Sequence, residues 1–349
     1  VNNRKKYYEI YIMLFIGFSF ARGQQVPRSY VAHRTIDVIE VDGKANEKSW
    51  KNAEWSEGFI DIEGVEKPTY KTQMKMLWDE TYLYFYAEME EPHVWATLKQ
   101  RDTVIFYNND FEIFIDPDGD THDYMEFEMN ALNTVWELFL TKPYRNHPKV
   151  IDGWDINGLK TGVDISGTLN DSKNTDKGWS VEIAMPWEAL KEANTHGKLP
   201  VNEFWRINFS RVNWDFDMED GRYSRKKGKN GKFLPEYNWV WSPQGVINMH
   251  EPEHWGYVYF SDKPVGTDAS FTIPEDEHVK WFLYEKYREI NGQEDKIDIK
   301  LEPKEILGKT IAPQFEMHSL GWNISVESPF TGNVLSIRED GKFESKPVK

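Results

Sequence analysis

The residues best suited to chemistry lie within residues 110–136, DFEIFIDPDGDTHDYMEFEMNALNTVW. Read two at a time, as a strand presents its side chains, the second half sets His122, Tyr124, Glu126, Glu128 and Asn130 on one side. Met125, Phe127, Met129 and Ala131 fall on the other. An imidazole, a phenol, two carboxylates and an amide in one row can move protons and accept hydrogen bonds from hydroxyl groups, while the opposite row supplies a core. His122 and Tyr124 are about 7 Å apart along such a strand, which suits a base and an acid on opposite sides of one small ring. Glu126 and Glu128 suit hydroxyl recognition or support of the His122 imidazole. As neighbours along one strand they lack the facing geometry of a glycosidase pair.

The residues just before repeat the pattern, with Phe111, Ile113 and Ile115 opposed to Asp110, Glu112 and Asp116. Between the two halves, Asp-Pro-Asp-Gly-Asp suits a chain reversal, so the stretch reads as a β-hairpin with one polar, site-like face. Asp116, Asp118 and Asp120 around Gly119 form an oxygen-rich turn of the kind that holds calcium, although without the later bidentate Glu of an EF-hand. A structural calcium is therefore a candidate there, and no cofactor is required. Arg145 and His147 in Pro-Tyr-Arg-Asn-His-Pro are candidates for gripping a ligand carboxylate. So are Arg211 and Asn213, where a strand that begins apolar opens onto a rim. Trp214, Trp239 and Trp241, with Trp154, occupy loop-like or terminal positions where an indole can face a pyranose ring; Trp78, Trp179 and Trp205 keep core parity. Arg206 is matched to a buried carboxylate such as Glu182.

What positions these residues is a run of strands. The chain has 349 residues with 15 Trp, 17 Tyr and 20 Phe, enough apolar and aromatic matter for a large core. Strand-like stretches recur from Thr35 to Val41, Gln73 to Trp78, Tyr82 to Glu88, Gly178 to Met185 and Trp205 to Trp214. A helical turn presents Trp50, and a short helix is expected near Pro186 to Leu190. Strands without crossover helices predict an all-β fold, an antiparallel β-sandwich of jelly-roll type, over residues 24–262. Residues 263–349 read as a small α+β appendage, with an amphipathic helix over 274–291 and short strands after it.

Residues 1–23 read as a signal peptide: a basic start at Arg4 to Lys6, an apolar core from Ile10 to Phe20, and Ala21-Arg22-Gly23 as the cleavage site. The expectation is a periplasmic or secreted protein, soluble and off the membrane once cleaved. Without Cys there is no disulfide or thiolate chemistry, and a formal charge of −16 argues against nucleic acid. Residues 215–233 read as the longest irregular stretch, in which Arg222, Arg225, Lys226, Lys227, Lys229 and Lys232 reverse that sign locally and suit an anionic ligand. The chain has no HExxH, Walker loop or Gly-x-Ser-x-Gly, which sets aside zincins, NTPases and α/β-hydrolases.

Five stretches in order then resemble a known family: Asp42-Gly43 with Trp50; the hairpin from Leu77-Trp78-Asp79 to Ala87; Asn109 to Pro117; Gly178-Trp179 to Pro186-Trp187; and Met249-His250-Glu251-Pro252-Glu253-His254-Trp255-Gly256. Across roughly Ile36 to Phe260 the sequence resembles the family 9 carbohydrate-binding-module-like proteins, related to the DOMON sandwich. The resemblance implies a β-sandwich, frequently a bound calcium, and a sugar held against aromatic faces. Some free-standing members are similar to dehydratases of ulvan-type oligosaccharides, and residues 263–349 show no acid–base constellation of the kind a catalytic companion domain needs. The resulting expectation is a lyase acting on an acidic oligosaccharide. It would eliminate water from the non-reducing-end uronic acid to leave a 4,5-unsaturated residue, with His122 and Tyr124 handling protons and Glu126, Glu128, Asn130, Arg145, His147, Arg211, Asn213, Trp214, Trp239 and Trp241 binding substrate. The alternative is a carbohydrate-binding protein of the same fold that performs no chemistry. A haem protein using His250 and Met249 ranks last, because adjacent strand residues point apart.

Overall fold

A computed structural model of the chain describes residues 26–194, 197–293, 296 and 299–348. The expected signal segment lies outside the described residues. Among those described, no helix is long and apolar enough to cross a membrane.

The first half contributes β1 (Ser29–Arg34), helix α1 (Lys48–Asn52), β2 (Ile60–Asp61), β3 (Thr72–Trp78), β4 (Tyr82–Glu90), β5 (Asp110–Asp116), β6 (Tyr124–Asn130) and β7 (Val135–Leu140). After these come β8 (Val150–Ile151), β9 (Lys160–Ser166), β10 (Gly178–Pro186), α2 (Trp187–Leu190), β11 (Phe204–Asn213), β12 (Phe216–Glu219), β13 (Arg222–Arg225), β14 (Tyr237–Val240) and β15 (Gly256–Pro264). Hydrogen bonding runs β8-β7-β6-β5-β11-β15-β1-β3-β4-β10-β9, with β14 beside β11 and β2 beside β14. β1 pairs in parallel with both β15 and β3, so it is the seam at which one antiparallel sheet passes into the other. The two halves then face each other. Met76, Phe85 and Val181 from one side share a core with Phe111, Phe127, Ile207 and Phe209 from the other, and the Phe85 and Phe209 rings meet edge-on at 5.8 Å.

The hairpin and sandwich expectations hold. β5 and β6 pair antiparallel, and Met125, Phe127, Met129 and Ala131 lie in the core with Trp78, Trp179 and Trp205. Three expectations change. Residues 35–41 form no strand, because Asp37 accepts the Lys48 and Ser49 N–H groups at the start of α1, a role that holds the chain in a loop. Arg206 does not meet Glu182: the Glu182 carboxylate accepts the Trp50 indole N–H at 2.7 Å and the Asp42 N–H at 2.9 Å. Residues 216–225, expected to be irregular, close as the β12–β13 hairpin.

The C-terminal part carries α3 (Glu275–Asn291), β16 (Lys304–Ile306), β17 (Lys309–Ile311), and an antiparallel sheet of β18 (Gln314–His318), β19 (Gly321–Glu327), β20 (Asn333–Arg338) and β21 (Phe343–Pro347). Its own core joins Val279, Phe282, Leu283, Tyr287 and Ile290 of α3 to Trp322, Ile324, Leu335 and Ile337. The other side of α3 docks on the sandwich. Arg206, 1 % exposed, donates to the carbonyls of Glu253 and Trp255 and faces Glu277 at 3.4 Å; Glu277 also accepts the Tyr257 hydroxyl at 2.7 Å. Arg288 reaches Glu253 at 2.5 Å.

The strand end at Arg211 does not open onto a rim. Arg211 is fully buried, donating to Glu91 Oε2 at 2.8 Å and Thr72 Oγ1 at 3.0 Å, and Asn213 donates to the same Glu91 oxygen at 2.8 Å. Removing one member of such a pair strands the other charge in the interior, whereas removing both does not. Arg211→Met should therefore lower the unfolding free energy by about 3–5 kcal/mol in urea titration, and adding Glu91→Met should recover much of that loss. A double variant no more stable than the single one would mean that the pair is not what matters at this position.

Candidate functional site

The polar face expected on the β5–β6 hairpin exists, and neighbouring strands widen it. In register, Glu112 lies opposite Glu128, Phe114 opposite Glu126 and Asp110 opposite Asn130; on the other side Ser210 of β11 lies opposite Glu112 and Asn208 opposite Phe114. Because directly paired residues share a face, four carboxylates, those of Asp110, Glu112, Glu126 and Glu128, are gathered on the outer side of this sheet. All four are at least nine-tenths buried. Asp110 Oδ1 accepts the Val212 N–H at 3.3 Å and Glu128 Oε2 accepts the Phe106 N–H at 2.9 Å, but Asp110 Oδ2 and Glu126 Oε2 have no hydrogen-bond partner. Among the described residues, no Lys or Arg forms an ion pair with any of the four.

Aromatic and cationic groups border this floor. Tyr124 is buried against Phe114, Leu138, Leu140 and Trp255, and its hydroxyl lies 2.7 Å from His250 Nδ1. Tyr144, 39 % exposed, stands edge-on to His250 at 4.2 Å, and the Arg145 guanidinium donates to the Ile247 carbonyl at 3.0 Å. On another side, Trp214 donates its indole N–H to the Phe106 carbonyl at 2.8 Å, and Arg225 sits 4.6 Å over the Trp214 ring and 4.4 Å over exposed Tyr107. Trp136, half-buried, pairs with Glu128 across β7.

Burial governs the electrostatics. It raises Glu126 and Glu128 well above the usual carboxylate range, with Glu112 adding repulsion to both. Asp110 is raised in the same way, and Glu112 is pushed up to about 7, its burial outweighing the Ser210 hydroxyl. Burial, with Arg145 beside it, lowers His250 to about 3, so the imidazole is neutral at ordinary pH; burial and Glu126 keep the phenols of Tyr124 and Tyr144 protonated.

Several expected site residues lie elsewhere. His122 does not share a face with Tyr124: Thr121 and Asp123 take positive φ of 73° and 49°, which breaks the two-residue alternation just before β6 begins. The His122 ring instead lies beside the Thr121 hydroxyl at 3.3 Å and Asp340 at 3.6 Å. Asn130 holds the β6–β7 turn by accepting the Leu132 and Thr134 N–H groups. Trp239 and Trp241 are buried in the core, the latter because Gly256 leaves room for it; a Cβ there would come within 2.2 Å of the Trp241 ring. Trp214 is also buried, and Trp154 donates to Glu192 at 2.7 Å. His147 is exposed and left-handed, φ 55°, at the end of the turn that carries Tyr144. The ligand oxygens of Asp116, Asp118 and Asp120 do converge, but Lys342 lies 2.7 Å from Asp120 and Lys280 donates to the Gly119 carbonyl, so two ammonium groups already balance this turn. Asp110, Glu112 and Tyr144 are functional candidates that the sequence reading passed over as site residues, and His250 entered it only as a haem ligand. Asp110 and Glu112 were readable from the β5 alternation; the approach of Tyr144 and His250 to β6 had no local signal.

The raised carboxyls set a pH dependence. Between the ordinary 4.5 and about 7, folded Glu112 holds a proton that the unfolded chain releases, so its position costs nothing below that window and destabilises increasingly as pH rises through it. In chelator, the urea midpoint should fall from pH 4.5 to above pH 7, and Glu112→Gln should flatten the fall. Identical slopes for the two proteins would remove Glu112 as its source.

Comparison with known proteins bears on the fold. Among solved structures, the chain is similar to a protein of Bacteroides uniformis ATCC 8492 proposed to bind carbohydrate, with TM-score 0.50 and 14% identity over 67% of this chain and 100% of that one. It is also similar to a family 9 carbohydrate-binding module of Caldicellulosiruptor kristjanssonii, solved with cellotriose (TM-score 0.42, 16% identity) and with glucose (TM-score 0.42, 15% identity), each over 70% of this chain and 100% of the other. At 14% identity the likeness to the Bacteroides uniformis protein is one of fold. No curated protein matches the sequence. The profile of carbohydrate family 9 binding domain-like proteins matches residues 41–225, more than half of the chain, from the loop before α1 through the β5–β6 hairpin to the end of β13. The chain belongs to that family.

Proposed function

We propose that the protein captures an oligosaccharide on the outer face of β5, β6 and β11. The observation that carries this reading is the set of buried carboxylates with unpartnered oxygens beside an accessible tyrosine. Buried acceptors without donors are unfavourable, and sugar hydroxyls are donors of the right kind; a ring edge or face such as that of Tyr144 packs against the C–H side of a pyranose. Arg145 and Arg225 place a cation on each side of the acidic floor, which suits a sugar chain carrying a carboxylate. The family's sugar-binding name supports capture, and a periplasmic or secreted location fits it.

One observation favours a second reading, elimination of water from a terminal uronic acid. His250, neutral and 2.7 Å from the Tyr124 hydroxyl, can take a C5 proton, while phenols held protonated can give one to the departing C4 hydroxyl. Water leaves and a C4–C5 double bond forms, with Arg145 holding the carboxylate. This places the acid–base work on His250 with Tyr124, in place of His122.

Calorimetric titration with neutral and uronic oligosaccharides tests both. Tyr144→Ala and Glu126→Gln should each weaken binding by about tenfold, the equivalent of about 1.4 kcal/mol. Arg145→Ala should weaken the uronic ligand more than the neutral one. Undiminished affinity in both Tyr144→Ala and Glu126→Gln would move the ligand off this face. For elimination, incubation with uronic oligosaccharides should produce ultraviolet absorbance of the unsaturated product, lost in His250→Ala; tight binding with no new absorbance would leave capture alone.

A further inference from the structure

Away from the acid floor, the same outer sheet face ends in a cleft where α3 docks. Phe204 and Ser210 share that face of β11 and stand about 20 Å apart at a strand's rise per residue, so the cleft beside Phe204 is separate from the carboxylates opposite Ser210. Its volume is about 600 Å³, inside the range of about 300–1,000 Å³ typical of small-molecule sites.

Aromatic rings form one wall. Phe204 and Tyr259 are paired in register, so both project outward. Phe271, from the connection between β15 and α3, lies 5.3 Å from Tyr259 with planes 19° apart, and 5.4 Å from Phe204. Each ring is half-buried. Fastening the connection accounts for Phe271 meeting the two strands, but not for the open volume left beside the rings. The rest of the border is polar: Asn202, Glu203, Ser270, Thr272 and Asp118 are all exposed, and Asn202 orients the Tyr259 ring by accepting its hydroxyl at 3.2 Å. An aromatic patch rimmed by hydrogen-bonding groups has the composition of a ligand groove.

Charge narrows the ligand. Among the described residues that line the cleft, the basic side chains are Arg206 and Lys280, and both are committed elsewhere. Arg206 donates to the carbonyls of Glu253 and Trp255 and faces Glu277 at 3.4 Å; Lys280 donates to the Gly119 carbonyl and lies 3.8 Å from Glu277. The opening itself presents the carboxylates of Asp118 and Glu203, which have no Lys or Arg ion pair among the described residues. An acidic sugar would meet like charge there, and a wholly apolar ligand would strip water from the polar border without replacing it. A neutral sugar ring suits both sides, with C–H groups for the rings and hydroxyl donors for the carboxylates and the amide.

We propose that this cleft is a second carbohydrate site, selective for an uncharged sugar, at the junction of the sandwich with α3. The inference rests on the reading of the protein as a sugar binder, yet it uses none of the residues of the acid floor and differs from that face in disfavouring a carboxylate. Because Ser270, Phe271 and Thr272 belong to the connection after β15, the site is complete only when the chain continues past the sandwich.

Hydrogen exchange by mass spectrometry and calorimetric titration of the full chain test this, with cello-, xylo-, manno- and galacto-oligosaccharides as neutral probes and oligogalacturonate as the acidic one. A neutral probe should slow exchange in residues 202–206 and 268–274, and oligogalacturonate should not. Phe271→Ala should weaken that probe at least tenfold. Ser270→Trp, which fills the cleft from an exposed position and removes no packed ring, should weaken it as much, while Tyr144→Ala should leave the protection of 268–274 unchanged. The proposal is overturned if no neutral probe at millimolar concentration protects residues 268–274, if oligogalacturonate protects them equally, or if affinity there survives Ser270→Trp or a folded Phe271→Ala. Should Phe271→Ala not fold, Ser270→Trp decides. Binding on the outer face of β5, β6 and β11 is read separately, from exchange in residues 104–108 and 142–147, so the cleft can fail while that reading stands, and the reverse.

Discussion

The constraint on which this molecule turns is the in-register pairing of Glu112 with Glu128 under a covered sheet face. Like charges directly opposite each other in an antiparallel pair repel, and water cannot screen them where they are buried. The apolar side of the same two strands is what holds them in place. Phe111, Ile113, Phe127 and Met129 are locked into the core against the second sheet, and a slip of one residue would turn every one of them outward. The register that satisfies the core is therefore the register that crowds the acids.

The surroundings of the acids are built from distant parts of the chain. Phe106 donates from the segment before β5, Tyr144 comes from the turn after β7, and His250 from the loop before β15. Each of those segments is anchored by something else: Trp214 to the Phe106 carbonyl, Arg145 to Ile247, and the Trp255 indole to the Met249 carbonyl at 2.9 Å. The result is a floor supplied by regular strands and walls supplied by loops, the usual division between scaffold and recognition.

How much of this could be read from the residues follows the same division. Alternation placed Glu126 and Glu128 on one side of a hairpin and Met125 and Phe127 on the other, because a strand has only two sides. The same rule misplaced His122, since residues with positive φ flank it on both sides just before β6, and side chains of Thr and Asp do not announce that conformation. Arg211 looked like a residue leaving the core because its parity changed from apolar to charged. Nothing near it in sequence revealed Glu91, 120 residues away, waiting inside. Tyr124 and His250 are 126 residues apart, and only the closed sandwich brings them together.

The docking of α3 has an implication for how this fold is put together. Arg206 and Tyr257 on the sandwich share Glu277 of α3, and Lys280 and Lys342 both reach the turn that joins the two acid-bearing strands. Cutting the chain after β15 would leave a buried guanidinium without its counter-ion and bare the Tyr257 ring to water. An excised sandwich would thus be a damaged fragment, and strain applied at the tail would be felt first at the loop linking β5 to β6.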